Sequence, residues 1–175
     1  KQICNNHRKV LLLAPASLIK LFKIKESKNL FLLPTPNGES QKSAQFLDRI
    51  WRKAASIGLE RSDAIIGFGG GATTDVAGFA AATWLRGISW YAIPTSLAGM
   101  VDAGIGGKTG INSGAGKNLI GSFYSPKKVF IDPHFLESLP KRDISAGMAE
   151  VIKCGFISDY KILNLVQEDV LDYPQ

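Results

Sequence analysis

Cysteine and histidine are both scarce in this chain of 175 residues, which contains two of each. Cys4 and Cys154 are far apart and form no CxxC pair, so the sequence favours neither a zinc knuckle nor a disulfide scaffold. Only His7 and His134 could supply imidazole ligands or bases. A reducing cytoplasm is therefore the expected location, and a metal site in this chain would have little imidazole to draw on.

Long apolar runs are also missing. No run reaches the roughly 18 residues that cross a bilayer, so the sequence predicts no membrane-spanning segment. The stretch from Lys1 to Lys9 is too short and too polar to be a signal peptide. Hydrophobic residues make up 45% of the chain and charged residues 21%, which is typical of a globular protein with a core. The net charge of +6 is compatible with anionic partners such as nucleotides or sugar phosphates.

Apolar runs and helical spacing alternate in the first part of the chain. Residues 10–14, 29–33 and 63–68 each predict a buried strand. Between the second and third runs, residues 43–57 carry apolar side chains at helical spacing, and Gly58 is well placed to end that helix. This order predicts βαβ units and therefore an α/β fold, a Rossmann-like parallel sheet with flanking helices. A second helical region is predicted over residues 143–170.

Glycine is concentrated in one part of the chain, since 14 of the 18 glycines lie between Gly67 and Gly121. Large apolar residues are interleaved with them, which indicates a packed site and not a flexible linker. Gly69-Gly70-Gly71 follows a predicted strand and precedes residues 73–75, which are good N-cap types for a helix predicted over residues 76–85. Strand, glycines and helix start in this order favour a phosphate cradle, with a tight turn that binds no ligand as the alternative.

A second polar cluster lies downstream of the glycines. Its members share small or charged side chains and are Thr95, Ser96, Asp102, Lys108, Lys117 and Asn118. Asp102 can accept hydrogen bonds from hydroxyl groups, the two lysines can neutralise phosphate, and Asn118 offers a polyol both a donor and an acceptor. A solvated surface loop is the alternative interpretation.

Glu150 and Lys153 lie three positions apart on one face of a predicted helix. Taken alone, this spacing is most often an ordinary exposed ion pair. Neither histidine of the chain lies at helical spacing from another metal-ligating residue.

Several short motifs, mostly between residues 65 and 160, form a recognisable set. They are Gly69-Gly70-Gly71 with Asp75, Leu85-Arg86-Gly87, Pro94-Thr95-Ser96-Leu97, Val101-Asp102, Ile105-Gly106-Gly107-Lys108-Thr109-Gly110, Gly116-Lys117-Asn118-Leu119-Ile120-Gly121 and Ala149-Glu150-Val151-Ile152-Lys153. Pro36-Asn37-Gly38-Glu39 with Lys42 adds an upstream match. Together these segments resemble the 3-dehydroquinate synthase family of sugar-phosphate cyclases.

The resemblance implies a carbon–oxygen lyase that binds NAD and a divalent metal, zinc or cobalt. Such an enzyme converts 3-deoxy-D-arabino-heptulosonate 7-phosphate into 3-dehydroquinate and phosphate, in the shikimate pathway that leads to chorismate and the aromatic amino acids. Transient oxidation of a hydroxyl group acidifies the neighbouring C–H bond so that phosphate can leave, and the metal polarises the substrate oxygens. The resemblance also implies a homodimer, while the lack of long apolar runs and the spread of positive charge along the chain lead us to expect neither a membrane nor nucleic acid as a partner.

The resemblance also assigns roles to individual residues. Cofactor contacts are implied for Glu39, Lys42, Gly70, Gly71, Asp75, Thr95, Ser96, Asp102, Lys117, Phe135, Leu139 and Asp143. Substrate contacts are implied for Asp102, Lys108, Asn118 and Lys153, with Arg86 reaching the substrate phosphate of a neighbouring subunit. Glu150 is implied as one of three metal ligands. Thr74 stands where the family usually has glycine, and Ser96 replaces a usual threonine but keeps its hydroxyl.

The resemblance implies a division into two parts. Residues 1–133 are expected to form the NAD-binding domain, and residues 134–175 the beginning, with the first helix, of a truncated helical domain for metal and substrate. Family members are roughly twice as long, so this chain alone is expected to be inactive. An apolar helix face at Ile157, Ile162, Leu163, Leu165, Val166 and Val170 is expected to be exposed and to make the isolated chain poorly soluble.

Four alternatives stay open. Other sugar-phosphate cyclases, which make inosose or valiolone rings, share the NAD and metal chemistry. A truncated chain could bind NAD, or nothing, without catalysing a reaction. An iron- or zinc-dependent alcohol dehydrogenase of the glycerol dehydrogenase type shares the fold, but the two motifs around Lys108 and Asn118 argue against it. A nucleic-acid-binding module is disfavoured because the positive charge is spread along the chain without a basic helix.

Overall fold

A five-stranded parallel sheet forms the centre of the structure, a computed structural model that describes the backbone of residues 2–172 and the side chains of residues 3–167. Its strands are β1 (Val10–Pro15), β2 (Leu30–Thr35), β3 (Ala64–Gly69), β4 (Ser89–Pro94) and β7 (Lys128–Val129). They lie in the order β2-β1-β3-β4-β7, and every neighbouring pair is parallel. The predicted α/β fold is therefore confirmed.

Helices cover both faces of this sheet. The α-helices are α1 (Gln2–Asn6), α2 (Ala16–Leu21), α3 (Ala44–Ser56), α4 (Gly71–Thr83), α5 (Lys141–Ile157) and α6 (Lys161–Asp172). Short 3₁₀ turns occupy Gly38–Gln41, Trp84–Arg86 and Pro133–Ser138, and a π-helical turn occupies Gly99–Ala103. An antiparallel hairpin of β5 (Lys108–Ser113) and β6 (Gly116–Phe123) stands apart from the main sheet. None of the helices in the described residues is long and apolar enough to cross a bilayer.

Strand β1 shows how the sequence pattern produces the two layers of the core. Its residues alternate between the faces of the sheet, as the two-residue period of a strand requires. Leu11 and Leu13 enter the larger cluster, which includes Ile50 of α3. Val10 and Leu12 enter the smaller one on the opposite face. Because both faces are covered, β1 and β3 are apolar along most of their length, as is typical of parallel sheets.

Strand β2 ends later than predicted, because it continues through Pro34 to Thr35. Proline lacks a backbone N–H and is tolerated in strands mainly at the edge of a sheet. Strand β2 is such an edge strand, since its only neighbour in the sheet is β1 among the described residues. The other predicted strands and helix α3 lie within one or two residues of their predicted bounds.

Two helix predictions were wrong in detail. Helix α4 begins at Gly71, five residues before its predicted start, because the carbonyl of Gly70 already accepts hydrogen bonds from the N–H groups of Thr73 and Thr74, at 2.9 and 3.2 Å. Residues 73–75 therefore lie inside the helix and do not cap it. The helical region predicted over residues 143–170 is two helices: α5 ends at Ile157 and α6 begins at Lys161. The predicted single helix is thus a packed pair, with Leu163 of α6 against Gly155 of α5.

Candidate functional site

A glycine turn joins the carboxyl end of β3 to the start of α4. Gly69, Gly70 and Gly71 form this turn, and the carbonyl of Gly69 accepts a hydrogen bond from the N–H of Thr95 at the end of β4, at 2.9 Å. A Cβ atom on Gly70 would lie 3.2 Å from the Oγ of Ser96, and one on Gly71 would lie 3.0 Å from the Cβ of Ala103. Any larger residue would fill the space beside the helix start, where free N–H groups favour an anion.

A cavity of about 550 Å³ lies beside this turn. Its lining includes four of the residues predicted to bind cofactor or substrate: Asp75, Asp102, Lys108 and Asn118. Ala103, which approaches Gly71, lines it too, so the cavity lies next to the glycine turn. Each of the four residues comes from a different element, namely α4, the π-helical turn, β5 and β6. The chain has thus brought together groups that are up to 43 positions apart in the sequence.

Lys42 directly follows the 3₁₀ turn that precedes α3, and its side chain contacts two residues that line the cavity. Its side chain is only 4% exposed, which is rare for lysine unless the charge is paired. The Nζ atom donates to Asp75 Oδ2 at 2.5 Å and to the side-chain oxygen of Asn118, and it lies 3.9 Å from Glu39 Oε1. Lys42 therefore holds three predicted site residues in place at once.

The charge of Asp75 depends on two opposing effects. Burial raises the pKa of Asp75 above its ordinary value of 3.8, and this effect outweighs the hydrogen bond and charge of Lys42, which act to lower it. The nearby carboxylates of Glu39 and Asp102 raise the pKa further. A carboxyl with a raised pKa beside a cavity is typical of a functional site.

Helix α5 borders the same region from its middle onward. Gly147 of α5 packs closely against Leu97 and Ala98, which follow the end of β4. Further along the helix, Lys153 Nζ lies 3.6 Å from Asp102 Oδ1 and donates to the carboxylate of Glu150. That hydrogen bond raises the pKa of Lys153 above its ordinary value. The pair is therefore not an isolated surface contact, because it extends to a residue that lines the cavity.

Thirteen of the predicted site residues are not in the cavity lining, and five of these also take no part in the glycine turn or in the ion pairs of Lys42 and Lys153. Arg86 is exposed just beyond α4, Lys117 is exposed on β6, and Asp143 is exposed in the first turn of α5. Phe135 is half-buried on the other face of the sheet, where its ring packs edge-on against Phe68 with centroids 5.4 Å apart. Leu139, which is half-buried, ends the 3₁₀ turn that contains Phe135. Their predicted roles remain predictions.

Two further residues at the site were missed by sequence reasoning. Thr73 carries a buried Oγ1 that has no hydrogen-bond partner in the described part of the chain, and a Cβ on Gly69 would lie 2.5 Å from it. Asn112 bonds to Glu39 and to Asn118 at 2.9 Å each. A threonine in a first helical turn and an asparagine in a strand are common locally, so only their partners reveal them.

Glu150 is the one predicted metal ligand, and its carboxylate is paired with Lys153. Within residues 3–167 no group of three or more histidine, cysteine, aspartate or glutamate side chains is arranged to hold a metal ion. Since metal sites in proteins use several such ligands, a metal at Glu150 would require ligands beyond those described.

Comparison with known proteins places this site in a family. The family described as 3-dehydroquinate synthase N-terminal matches residues 32–146, which include the glycine turn and the cavity. A 3-dehydroquinate synthase from Mycobacterium leprae is 48% identical over 172 residues, covering 95% of this chain and 48% of the relative. The chain thus spans about half the length of the curated relatives it matches.

Solved structures show the same fold. The 2-epi-5-epi-valiolone synthase of Streptomyces hygroscopicus, with NAD⁺ and Zn²⁺ bound, is 29% identical with a TM-score of 0.85 over 93% of this chain and 47% of its own. A 2-deoxy-scyllo-inosose synthase complexed with carbaglucose-6-phosphate, NAD⁺ and Co²⁺ is also 29% identical, with a TM-score of 0.74 over 85% of this chain and 43% of its own. From the motifs, the fold and the residues matched, this chain belongs to the 3-dehydroquinate synthase N-terminal family.

Proposed function

We propose that this chain is the nucleotide-binding half of a 3-dehydroquinate synthase. The whole enzyme converts 3-deoxy-D-arabino-heptulosonate 7-phosphate into 3-dehydroquinate and phosphate. The observation that carries the proposal is the convergence of Asp75, Asp102, Lys108 and Asn118 on one cavity beside the glycine turn. That set combines carboxylates for hydroxyl groups, a cation for phosphate and an amide for a polyol, as a sugar phosphate requires.

NAD fits the glycine turn and its surroundings. Gly70 and Gly71 leave the space that a pyrophosphate needs at the start of α4. The unpartnered hydroxyl of Thr73, within the described residues, is a donor beside that turn. Glu39 is 45% exposed and can accept from a ribose hydroxyl, while Thr95 and Ser96 border the turn from the end of β4. When bound, NAD supplies the transient oxidation of a substrate hydroxyl.

The chain's own residues then bind and orient the substrate. Asp102 accepts from a hydroxyl, Lys108 places a cation at the cavity for phosphate, and Asn118 is held toward the cavity by Lys42. Lys153, close to Asp102, adds positive charge where the leaving phosphate would be stabilised. Arg86, Lys117, Phe135, Leu139 and Asp143 keep their proposed roles at the neighbouring subunit and along the cofactor.

The metal does not fit the described residues alone. Glu150 is a single carboxylate, and the further ligands would come from the part of the enzyme that corresponds to the other half of the relatives. We include in the proposal that residues 134–175 begin this second domain, that the whole enzyme is a dimer, and that it works in the cytoplasm. Two free cysteines, Cys4 and Cys154, are consistent with that compartment.

A fusion enzyme tests the proposal. It consists of this chain followed by the part of the Mycobacterium leprae relative that lies beyond its match to this chain. With NAD and Zn²⁺ or Co²⁺, we expect it to release phosphate from 3-deoxy-D-arabino-heptulosonate 7-phosphate. Asp102→Asn should reduce kcat/KM by at least about a hundredfold, whereas Asp48→Asn, which alters an exposed ion pair with Arg52 on α3, should leave it unchanged.

The choice of substrate separates this proposal from its nearest alternative. A cyclase of the inosose synthase type would instead release phosphate from a hexose 6-phosphate, the class of compound that carbaglucose-6-phosphate in the inosose synthase structure resembles. The higher identity to 3-dehydroquinate synthases, 48% against 29%, favours our proposal. NAD binding by the chain, combined with activity of neither kind in a folded fusion, would instead support a non-catalytic remnant.

A further inference from the structure

We propose that Asn112 is a positioning residue that couples the nucleotide side of the cavity to its substrate side. This inference rests on the proposed function, because it assigns Glu39 to the nucleotide and Asn118 to the substrate. Asn112 lies on β5, with its side chain between those two residues. Neither its own position in the sequence nor the motifs around it single it out.

The hairpin of β5 and β6 has an irregular register at Asn112, which leaves backbone groups near it without strand partners. Ile111 pairs with Ile120 and Ser113 pairs with Gly116, so the single residue Asn112 on β5 faces three residues on β6. Such a bulge leaves backbone groups without their regular ladder partners and redirects side chains. Asn118 lies within the bulge and has a φ of 57°, a left-handed conformation that asparagine tolerates better than most residues.

Both ends of the Asn112 side chain are used. Its Oδ1 accepts from the backbone N–H of Asn118 at 2.9 Å, which replaces the missing ladder bond. Its Nδ2 donates to Glu39 Oε1 at 2.9 Å. A backbone N–H can only donate and a carboxylate can only accept, so the position requires one donor and one acceptor on the same short side chain. Asparagine meets that requirement, while aspartate and alanine do not.

The backbone of Asn112 completes the link. Its N–H donates to the carbonyl of Lys42 at 2.9 Å, and the Lys42 side chain in turn bonds to Asn118 and Asp75. Asn112 thus bonds to Lys42 itself and to two neighbours of its buried ammonium group, Glu39 of the 3₁₀ turn and Asn118 of β6. A change in the position of Glu39 would be transmitted to Asn118 through one side chain.

Two variants separate the two ends of this side chain. Asn112→Asp keeps the acceptor for Asn118 but replaces the donor to Glu39 with a second carboxylate. Asn112→Ala removes both. Asn164→Asp makes the same chemical change at an exposed position of α6 and serves as the control. The full chain is used for hydrogen–deuterium exchange and for titration with NAD by calorimetry.

We expect the amide of Asn118 to be protected from exchange in the parent chain and in Asn112→Asp, and to exchange at least tenfold faster in Asn112→Ala. Both Asn112 variants should bind NAD at least tenfold more weakly, because Glu39 loses its donor. In the fusion enzyme, Asn112→Asp should mainly raise the KM for NAD, whereas Asn112→Ala should also lower kcat because Asn118 is released.

Two results would overturn the inference. One is equal protection of the Asn118 amide in Asn112→Ala and the parent. The other is unchanged NAD affinity in both variants of a parent that binds NAD. A parent chain that binds no NAD would count against the proposed function itself, while the exchange measurement would still decide whether Asn112 holds Asn118. If Asn112 had a purely structural role, neither variant would selectively change the KM for NAD or for the substrate, and both variants would lower kcat equally.

Discussion

At the residue scale, the site is organised around one buried charge. Lys42 is almost wholly buried and bonds to Asp75 on α4 and Asn118 on β6. Leaving one partner of a buried ion pair alone is costly, so these residues depend on one another. The pKa of Asp75 reports on this arrangement, because burial raises it while Lys42 lowers it.

Asp75→Asn is expected to change how stability depends on pH. The pKa of Asp75 is raised in the folded chain, so the folded state holds this proton more tightly than the unfolded state. Ionisation of Asp75 therefore lowers the parent's stability as the pH rises above 3.8 and through the folded pKa, and the variant lacks this loss. Urea unfolding between about pH 4 and pH 7 should show the variant gaining stability relative to the parent as the pH rises.

Asp48→Asn is the matched control for this measurement. Its carboxylate is half-exposed and forms a surface ion pair with Arg52, whose contribution to stability is small. The difference in stability between this variant and the parent should not rise with pH. If the Asp75→Asn difference falls as the pH rises, the charge of Lys42 dominates over burial and our assignment is wrong.

Lys153 and Asp102 should respond differently to removal. Asp102 lines the cavity itself. Lys153, on α5, approaches it from the side, with its Nζ atom 3.6 Å from Asp102 Oδ1. In the fusion enzyme, Lys153→Ala should reduce phosphate release by about a hundredfold while NAD affinity changes less than about twofold. Asp102→Ala should weaken both. Phosphate release and calorimetric NAD titration are the two measurements, and the reverse pattern would contradict the proposed roles.

At the scale of elements, close packing of α4 against the hairpin sets the shape of the cavity. Helix α4 carries no large side chain at Gly78, so β4 and β5 approach it directly. A Cβ atom there would lie 2.8 Å from Cζ2 of Trp90 and even closer to Cγ2 of Thr109. The indole of Trp90 is itself fixed by a hydrogen bond from Nε1 to the carbonyl of Tyr124, so it has little room to move.

Gly78→Ala is therefore expected to destabilise the chain despite the higher helix propensity of alanine. Overpacking of this kind costs about 1–3 kcal/mol, compared with a gain of up to about 1 kcal/mol from propensity. The midpoint of urea unfolding should fall accordingly. Gly114→Ala, in the turn between β5 and β6 with no atom within 4 Å of the added Cβ, should change the free energy of unfolding by less than about 0.5 kcal/mol.

At the scale of the whole molecule, the exposed apolar surface is concentrated on the hairpin and the last two helices. On β6, Leu119, Ile120 and Phe123 are exposed. The apolar helix face predicted from the sequence is only partly exposed: Ile157 and Leu165 are exposed at 75% and 62%, whereas Ile162, Leu163 and Val166 are half-buried. The side chain of Val170 lies outside the described residues.

We expect the isolated chain to self-associate through this surface, because contiguous apolar patches favour association in water. Ile157→Lys should lower the apparent mass measured by light scattering at a given protein concentration. Ser158→Lys adds the same charge at the next position without removing apolar area, so it separates charge from hydrophobic burial. Equal effects of the two variants, or a monodisperse parent monomer, would show that Ile157 does not drive association.

Much of the fold was predictable because its signals are local. Strands β1 and β3 are apolar runs, α3 has apolar residues at helical spacing, and Ser43 accepts the capping hydrogen bond from the N–H of Phe46. The start of α4 was misplaced because Gly70, and not a polar side chain, ends the turn and accepts the first helical bonds. The break near Ser158 was missed because the apolar spacing continues across it.

The sequence by itself determined the alternation of strands and helices, the place of the glycine turn and the identity of the polar groups near it. These follow from chain neighbours, whose spacing is fixed by the covalent backbone. Only the tertiary structure decided that Lys42 is buried between Asp75 and Asn118, which lie 33 and 76 positions away, and that Asn112 joins Glu39 to Asn118. Such contacts depend on how the sheet and the hairpin pack against each other. A local pattern of residues does not specify which distant residues will meet, because that depends on the packing of whole elements.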